Sequence, residues 1–551
     1  MIRFLEKVKN LSPLIFLILI IVFPWFLKRG YLFFVDMSWG PHITIPEWTS
    51  NWFYFWVIIK ILNFLIPADF LEKIFIVIVF GVVLFGGYKL GQSLTKIKTI
   101  SFLSSAFALF NPFVYDRVMY GQFGVVLGYG FFLAFFAYLI KYYFDLNEKL
   151  IFFAGLFAGL SILFSPHFIF FILLVYLVLG TLIVINNLNL RGKLFNFIKY
   201  SFLFFFIIIV MNFNWLYGLF SREGNLKEFI EQEITEKDFL IFKTRGSNSF
   251  EIVKNVFLMS GFWGAEQFRY IPLKEIKPIW SFSFYLILII IIWGLFSNFK
   301  DKEKRKLIFS LIFIFFISFV LAIGVALPIF AEITFFLSNY LPFYKGLRES
   351  QKWVAVIVTI YNIFFVYGLI ELFKKEFINR NENLRIFLLV FLTWLIIFQA
   401  PLLINGTIEQ IKPTNYPSDW NQINELIVED SNCQKKILFL PWHLYMYFKW
   451  IGNIVVNPAP RFFTCPVIYG ENMEFGDIYT QSLKPEQKKV ENWLISFGNT
   501  DLLSRNDLNI GYIILAKEAD WQKYLWVEKI INLKILKETE NLKVYKVEEL
   551  N

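Results

Sequence analysis

Cysteine and histidine are nearly absent from this chain of 551 residues, which holds two of the first and three of the second. Cys433 and Cys465 are too few for a thiolate metal cluster or a disulfide-rich scaffold. One bridge between them is open if their segment lies in an oxidising compartment, and two free thiols are the alternative. His42, His167 and His443 form no recognisable zinc pattern. Charge is scarce as well: 17% of residues are charged, where soluble domains carry about a quarter. No P-loop, Rossmann glycine pattern or metalloprotease helix occurs, so nucleotide-driven chemistry has no support.

What the chain has instead is apolar bulk, 57% hydrophobic and 21% aromatic. A bilayer core about 30 Å thick needs roughly 20 apolar residues per helix. Such stretches recur as continuous runs, not as the alternation of an outer-membrane barrel. The expectation is a polytopic α-helical membrane protein with about 11 transmembrane helices, near 11–29, 71–90, 99–115, 123–142, 149–165, 167–187, 197–219, 281–298, 306–328, 353–373 and 384–404. The first run follows the basic "MIRFLEKVKN" and lacks a small-residue cleavage site, which reads as a retained helix. The net charge of +10 falls mostly between spans, so it reports orientation and calls for no nucleic acid. Basic loops such as "KDKEKRK" and "NLRGK" join the N-terminus on the cytoplasmic side, and an odd span count leaves the C-terminus outside the cell membrane.

The chain therefore divides into a transmembrane domain, 1–404, with outer loops at 30–70, 220–280 and 329–352, and an extracytoplasmic domain, 405–551. The last is a small C-terminal α/β domain in which "KKILFLPW", "NIGYIILA" and "LKVYKVEEL" read as strands and "PEQKKVENWLISFG" as an amphipathic helix. In the first loop "NWFYFWVIIKILNFLI" suits a helix lying along the membrane surface, with Trp48, Trp52 and Trp56 as an aromatic stripe in the headgroup layer.

Polar groups beside hydrocarbon are expensive and point to function. Asp36, in "YLFFVDMSWGP", is either a solvated acid neutralised by Lys28 or Arg29, or a general base whose proton affinity is raised by aromatic walls. In "NPFVYDRVMYGQ", Asp116, Arg117 and Gln122 converge beyond the needs of a plain turn; they either pack neighbouring helices or offer Arg117 to a phosphate. In "FYKGLRESQKW", Lys345, Arg348 and Lys352 cluster on the face where few basic residues belong. Arg348 and Lys352, spaced for one helical face, either snorkel to headgroups or clamp an anionic lipid, with Glu349 and Gln351 to orient it or touch a sugar. His167 is a capped turn residue or a phosphate contact. Glu236, Lys237 and Asp238, with Glu231 and Glu233, could hold a divalent cation, but interspersed Lys favours a solvated helix face; no other cofactor is suggested.

An acid in the first outer loop (Asp36), a surface helix, many spans and an external tail together resemble the GT-C superfamily of membrane glycosyltransferases. "NPFVYDRVMYGQFGVVLGY" is similar to the membrane portion of actinobacterial arabinofuranosyltransferases, and "LRESQKW" to related prokaryotic membrane proteins. That resemblance implies inverting transfer of a sugar from a polyprenyl-phosphate donor to a glycan or glycolipid hydroxyl at the outer face. Asp36 would be the base, and Arg348, Lys352 or Arg117 would hold the phosphate. The WWDYG-type segment of oligosaccharyltransferases is missing, which disfavours transfer to protein. A transporter or flippase of a lipid-linked or anionic solute, or a non-catalytic surface scaffold, remains the alternative; the chain shows no internal repeat of the kind common in transporters.

Overall fold

A computed structural model describes residues 2–187, 191–220, 230, 234–276, 279–472, 474–475, 478–479, 484–498 and 508–548. The chain folds as two compact units. The first comprises Met1–Pro24, Trp48–Trp52 and Phe75–Gln410, and the second Trp25–Glu47, Phe53–Ile74 and Ile411–Asn551.

Apolar helices make a multi-pass membrane protein. Among the described residues six helices are long and apolar enough to span: Ala68–Leu94, Phe123–Asp145, Phe168–Asn186, Trp280–Ser297, Lys302–Ala326 and Ser350–Phe373. Two further pairs bend sharply, Phe195–Met211 with Phe213–Phe220 by 76° and Glu382–Ile397 with Pro401–Ile408 by 79°, which makes eight if each pair is one span. The remaining apolar runs give shorter helices than the expected eleven spans require. Lys149–Phe164, at 16 residues, extends only about 24 Å. The run 99–115 is cut in two, because Pro112 holds Asn111 in extended backbone (φ −150°, ψ 159°) and ends Lys98–Leu109. Asn111 then caps Pro112–Tyr120 by accepting from the Val114 N–H, while its amide donates to the Phe107 and Ala108 carbonyls at 3.1 and 2.8 Å. Elsewhere small residues let helices touch backbone to backbone: a Cβ on Gly368 would meet Ile290, and one on Gly294 would meet Phe364 and Gly368.

The second unit is built on a five-stranded sheet of β1 (Lys436–Leu440), β4 (Val467–Ile468), β5 (Ile510–Ala516), β6 (Leu533–Glu538) and β7 (Leu542–Val547), in the order β4-β1-β5-β7-β6. β4, β1 and β5 run parallel, β7 runs antiparallel to β5, and β6 antiparallel to β7. Alternation sends Ile437, Phe439, Tyr512 and Ile514 into one core and Leu438, Leu440, Ile513 and Leu515 into another, so both faces of the central strands are buried. β2 (Tyr445–Phe448) and β3 (Asn453–Val456) form a separate antiparallel hairpin. Cys433 and Cys465 are joined as a disulfide.

Residues 30–44 are integral to this unit. Tyr31 bridges to Thr414, and the Phe33 ring enters the core between Tyr416 and Trp450, with centroids 5.4 and 5.1 Å away. Tyr416 donates to the Trp39 carbonyl at 2.8 Å, and Arg461 to the Thr44 carbonyl at 2.9 Å. The surface helix is Phe53–Leu62, with Tyr54, Ile58, Ile61 and Leu62 exposed. Of Trp48, Trp52 and Trp56 only the last lies in this helix, and Trp48 is exposed. Within the second unit Trp56 packs on Trp39 at 5.0 Å and lies under the Arg461 guanidinium at 4.1 Å; within the first, Trp52 packs on Phe75 and Phe164.

Candidate active site

The first unit gathers most of the singled-out polar residues around Arg117. The helix Pro112–Tyr120 ends at Gly121 in the left-handed region (φ +84°), where a glycine carries no Cβ penalty, and the turn brings Gln122 back beside Arg117. Arg117, with none of its surface exposed, donates through Nη1 to Gln122 and to Glu349 Oε2 at 2.6 Å, and through Nη2 to Gln351 at 2.8 Å. Its guanidinium stacks on the Phe262 ring at 4.3 Å. Glu349 is the hub: Oε1 pairs with Lys352 Nζ at 3.0 Å, and Oε2 also accepts from Trp263 Nε1 at 3.2 Å. Burial alone would raise the Glu349 pKa, but the charges of Lys352 and Arg117 hold it well below the usual carboxylate range.

Lys352 Nζ lies 3.2 Å from His167 Nε2, which lies 3.0 Å from the Gly346 carbonyl. A neutral imidazole serves one of these at a time, since the same nitrogen must accept from Lys352 or donate to Gly346. The shared helical face expected of Arg348 and Lys352 does not form. Short 3₁₀ turns at Tyr344–Leu347 and Ser350–Trp353 flank the non-helical Glu349 (φ −82°, ψ 83°), and the two cations pair with different acids. Arg348 points to Asp238 Oδ1 at 3.4 Å and stacks on Phe242 at 4.9 Å.

Asp238 corrects the solvated acidic face. Glu236 and Lys237 are exposed, but Asp238 is buried: as the third residue of its helix its carboxylate accepts from the Thr235 N–H at 3.0 Å, and it carries the Arg348 pair. Glu231 and Glu233 lie outside the described residues. Asp116 is turned away from the Arg117 hub and accepts from the Tyr270 hydroxyl at 2.9 Å; burial pushes its pKa up to about 7.

Asp36 belongs to the second unit. It sits in a turn whose ends exchange backbone bonds, Phe34 N to Met37 O at 2.9 Å and the reverse at 3.4 Å, and its carboxylate accepts from the Tyr445 hydroxyl at 2.9 Å. Arg29, a candidate neutraliser, pairs with Asp69 at 3.6 Å. Asp69 and Glu72 also accept from the Gly30 and Leu32 N–H groups, which fixes the chain leading to Asp36.

Solved structures supply the comparison. Arabinofuranosyltransferase AftD from Mycobacteria matches 100% of this chain with a TM-score of 0.59 at 12% identity. The chain has the GT-C fold. Its GT-C architecture spans 40% of the length of AftD. Looser likenesses are to the oligosaccharyltransferase of Archaeoglobus fulgidus (TM-score 0.44, 11% identity, 93% of this chain and 70% of that one) and to ArnT from Cupriavidus metallidurans (0.37, 10%, 98% of each). No family model matches the sequence, and no curated protein does.

Sequence reasoning missed Trp263, Phe262, Tyr270 and Tyr445. The "GFWG" run, 261–264, has bulky aromatics between glycines in a long loop and was the available sign for the first two. Nothing local marks Tyr445. His443 belongs to no zinc pattern, yet its Nδ1 lies 2.8 Å from Glu474 Oε2 and its Nε2 2.8 Å from Asp520 Oδ1. Burial lowers its pKa, but the two carboxylates outweigh that and raise it. Stability from a raised histidine is complete below the unfolded value of about 6.5 and is lost as pH rises through the folded one. His443→Gln is therefore expected to lower the melting temperature more at pH 5.5 than at pH 8.5, by about 1 kcal/mol of extra destabilisation. Paired thermal scans check this, and equal losses at both pH values would contradict it.

Proposed function

We propose that this chain transfers a sugar from a polyprenyl-phosphate donor to a hydroxyl of a glycan or glycolipid on the extracytoplasmic face, with the N-terminus cytoplasmic and the C-terminus outside. The observation that carries the proposal is the charge balance of the buried hub. Arg117, Arg348 and Lys352 face two carboxylates, Glu349 and Asp238, and Arg117 Nε is a buried donor with no hydrogen-bond partner among the described residues. Among the described residues three cations share two carboxylates, a balance that favours an anion, and a lipid phosphate fits both charge and setting.

In this reading Arg348 and Lys352 meet the phosphate, and Arg117, enclosed by Gln122, Glu349 and Gln351, positions them through Glu349. Asp36 takes the proton of the acceptor hydroxyl as its oxygen bonds to the anomeric carbon. The carbon–oxygen bond to the phosphate breaks on the opposite side, inverting the centre. The phosphate leaves with the electron pair, and the cations are worth most at that moment, when its charge grows.

The test is incubation of the purified protein in lipid vesicles with a panel of polyprenyl-phosphate sugars and oligosaccharide acceptors. A new glycosidic bond of inverted configuration, read by mass spectrometry and NMR, is the expected result. The two bent helix pairs are what a transporter would also show. Movement of donor across the vesicle with no new bond, or no product with any donor, would overturn the enzyme reading.

A further inference from the structure

The C-terminal hairpin β2–β3 touches the Asp36 turn at two points, one on the backbone and one on the carboxylate. In β2, Met446 and Phe448 are buried, so alternation turns Tyr445 and Tyr447 to the opposite face. Tyr445 is half-buried and donates its hydroxyl to Asp36 Oδ1 at 2.9 Å across 409 residues of sequence, whereas Tyr447 is exposed. Opposite Tyr445 in the hairpin register stands Val456, whose N–H donates to the Val35 carbonyl at 2.8 Å. One cross-strand pair thus fixes both the backbone before Asp36 and its side chain. The flanking Phe34 and Val35 are buried and leave the turn little freedom to rotate.

The geometry points to Tyr445 as the positioning residue of the catalytic base: its hydroxyl aims the Asp36 carboxylate. This rests on the reading of Asp36 as base. It assigns the hairpin of the C-terminal domain a part in the chemistry. A phenol hydrogen bond stabilises the ionised carboxylate over the acid. Losing it leaves a base that is protonated at higher pH and less well aimed, so the rate falls in kcat while donor affinity is kept.

Tyr445→Phe removes only the hydroxyl. Two measurements are made on it, on wild type and on Tyr447→Phe as control. The first is the pH dependence of Asp36 modification by a water-soluble carbodiimide, which consumes protonated carboxyl groups, followed by peptide mass spectrometry. The second is the pH profile of transfer with whichever donor the panel identifies. Expected in Tyr445→Phe are a modification midpoint and an acid limb of kcat both raised by about one pH unit, a roughly tenfold lower kcat below that limb, and an unchanged KM for donor; Tyr447→Phe should match wild type. An unmoved midpoint, or an unmoved acid limb, overturns the role of Tyr445. If Asp36→Asn transfers sugar as wild type does, the base reading itself fails, and Tyr445 becomes a structural contact whatever the labelling shows. Melting temperature and disulfide content separate either result from misfolding.

Discussion

Asp36→Asn is expected to lower the rate of sugar transfer by about 10²- to 10⁴-fold, the range for loss of a general base, equivalent to about 3–5 kcal/mol in the barrier. The amide has the size and shape of the carboxylate and still offers an oxygen to the Tyr445 hydroxyl, so the turn at 34–37 keeps its backbone bonds. What disappears is the ability to hold the acceptor proton. Initial rates at saturating donor, with melting temperature as a control for folding, measure the effect. A variant within a few-fold of wild type would remove Asp36 from the chemistry.

Glu349→Ala is expected to destabilise the protein by about 3–5 kcal/mol, because it removes one partner of a buried ion pair and strands the other charges. Arg117 would lose its 2.6 Å partner, Lys352 its 3.0 Å partner and Trp263 its acceptor, leaving like charges facing each other. Thermal denaturation in detergent tests this. Phosphate or pyrophosphate in the buffer should raise the melting temperature of this variant more than that of wild type, since an anion binding only the folded state stabilises it by mass action. A melting temperature equal to that of wild type would show that Glu349 is not the hub. Equal anion effects in both proteins would argue against a phosphate site there.

Much of the fold was legible because the signals are local. Apolar runs mark helices whatever their neighbours do, and the alternation of "KKILFLPW" and "NIGYIILA" survives in strands buried on both faces. Among the described residues the span count is not reached where one residue changes the outcome: Pro112 breaks a run whose average hydropathy hides it. Arg117, Glu349 and Lys352 could be singled out separately, as charges where charge is costly, but their pairing joins residues 232 apart and no pattern encodes it. The helical spacing of Arg348 and Lys352 misled because Glu349 takes a non-helical conformation to reach Arg117. Tyr445 left no trace at all, since a tyrosine in a strand is ordinary until its partner is known.

The second unit draws its residues from both ends of the chain, and this orders events during synthesis. Ile74 and Ile411 bound a gap of 336 residues, so at about 5–20 residues per second the ribosome needs roughly 20 to 70 seconds to cross it. Until then residues 30–44 have emerged without Tyr416, Trp450 or the hairpin that seat them. A nascent chain can thread its helices into the bilayer and still hold the Asp36 turn unseated until residues 414–461 have followed.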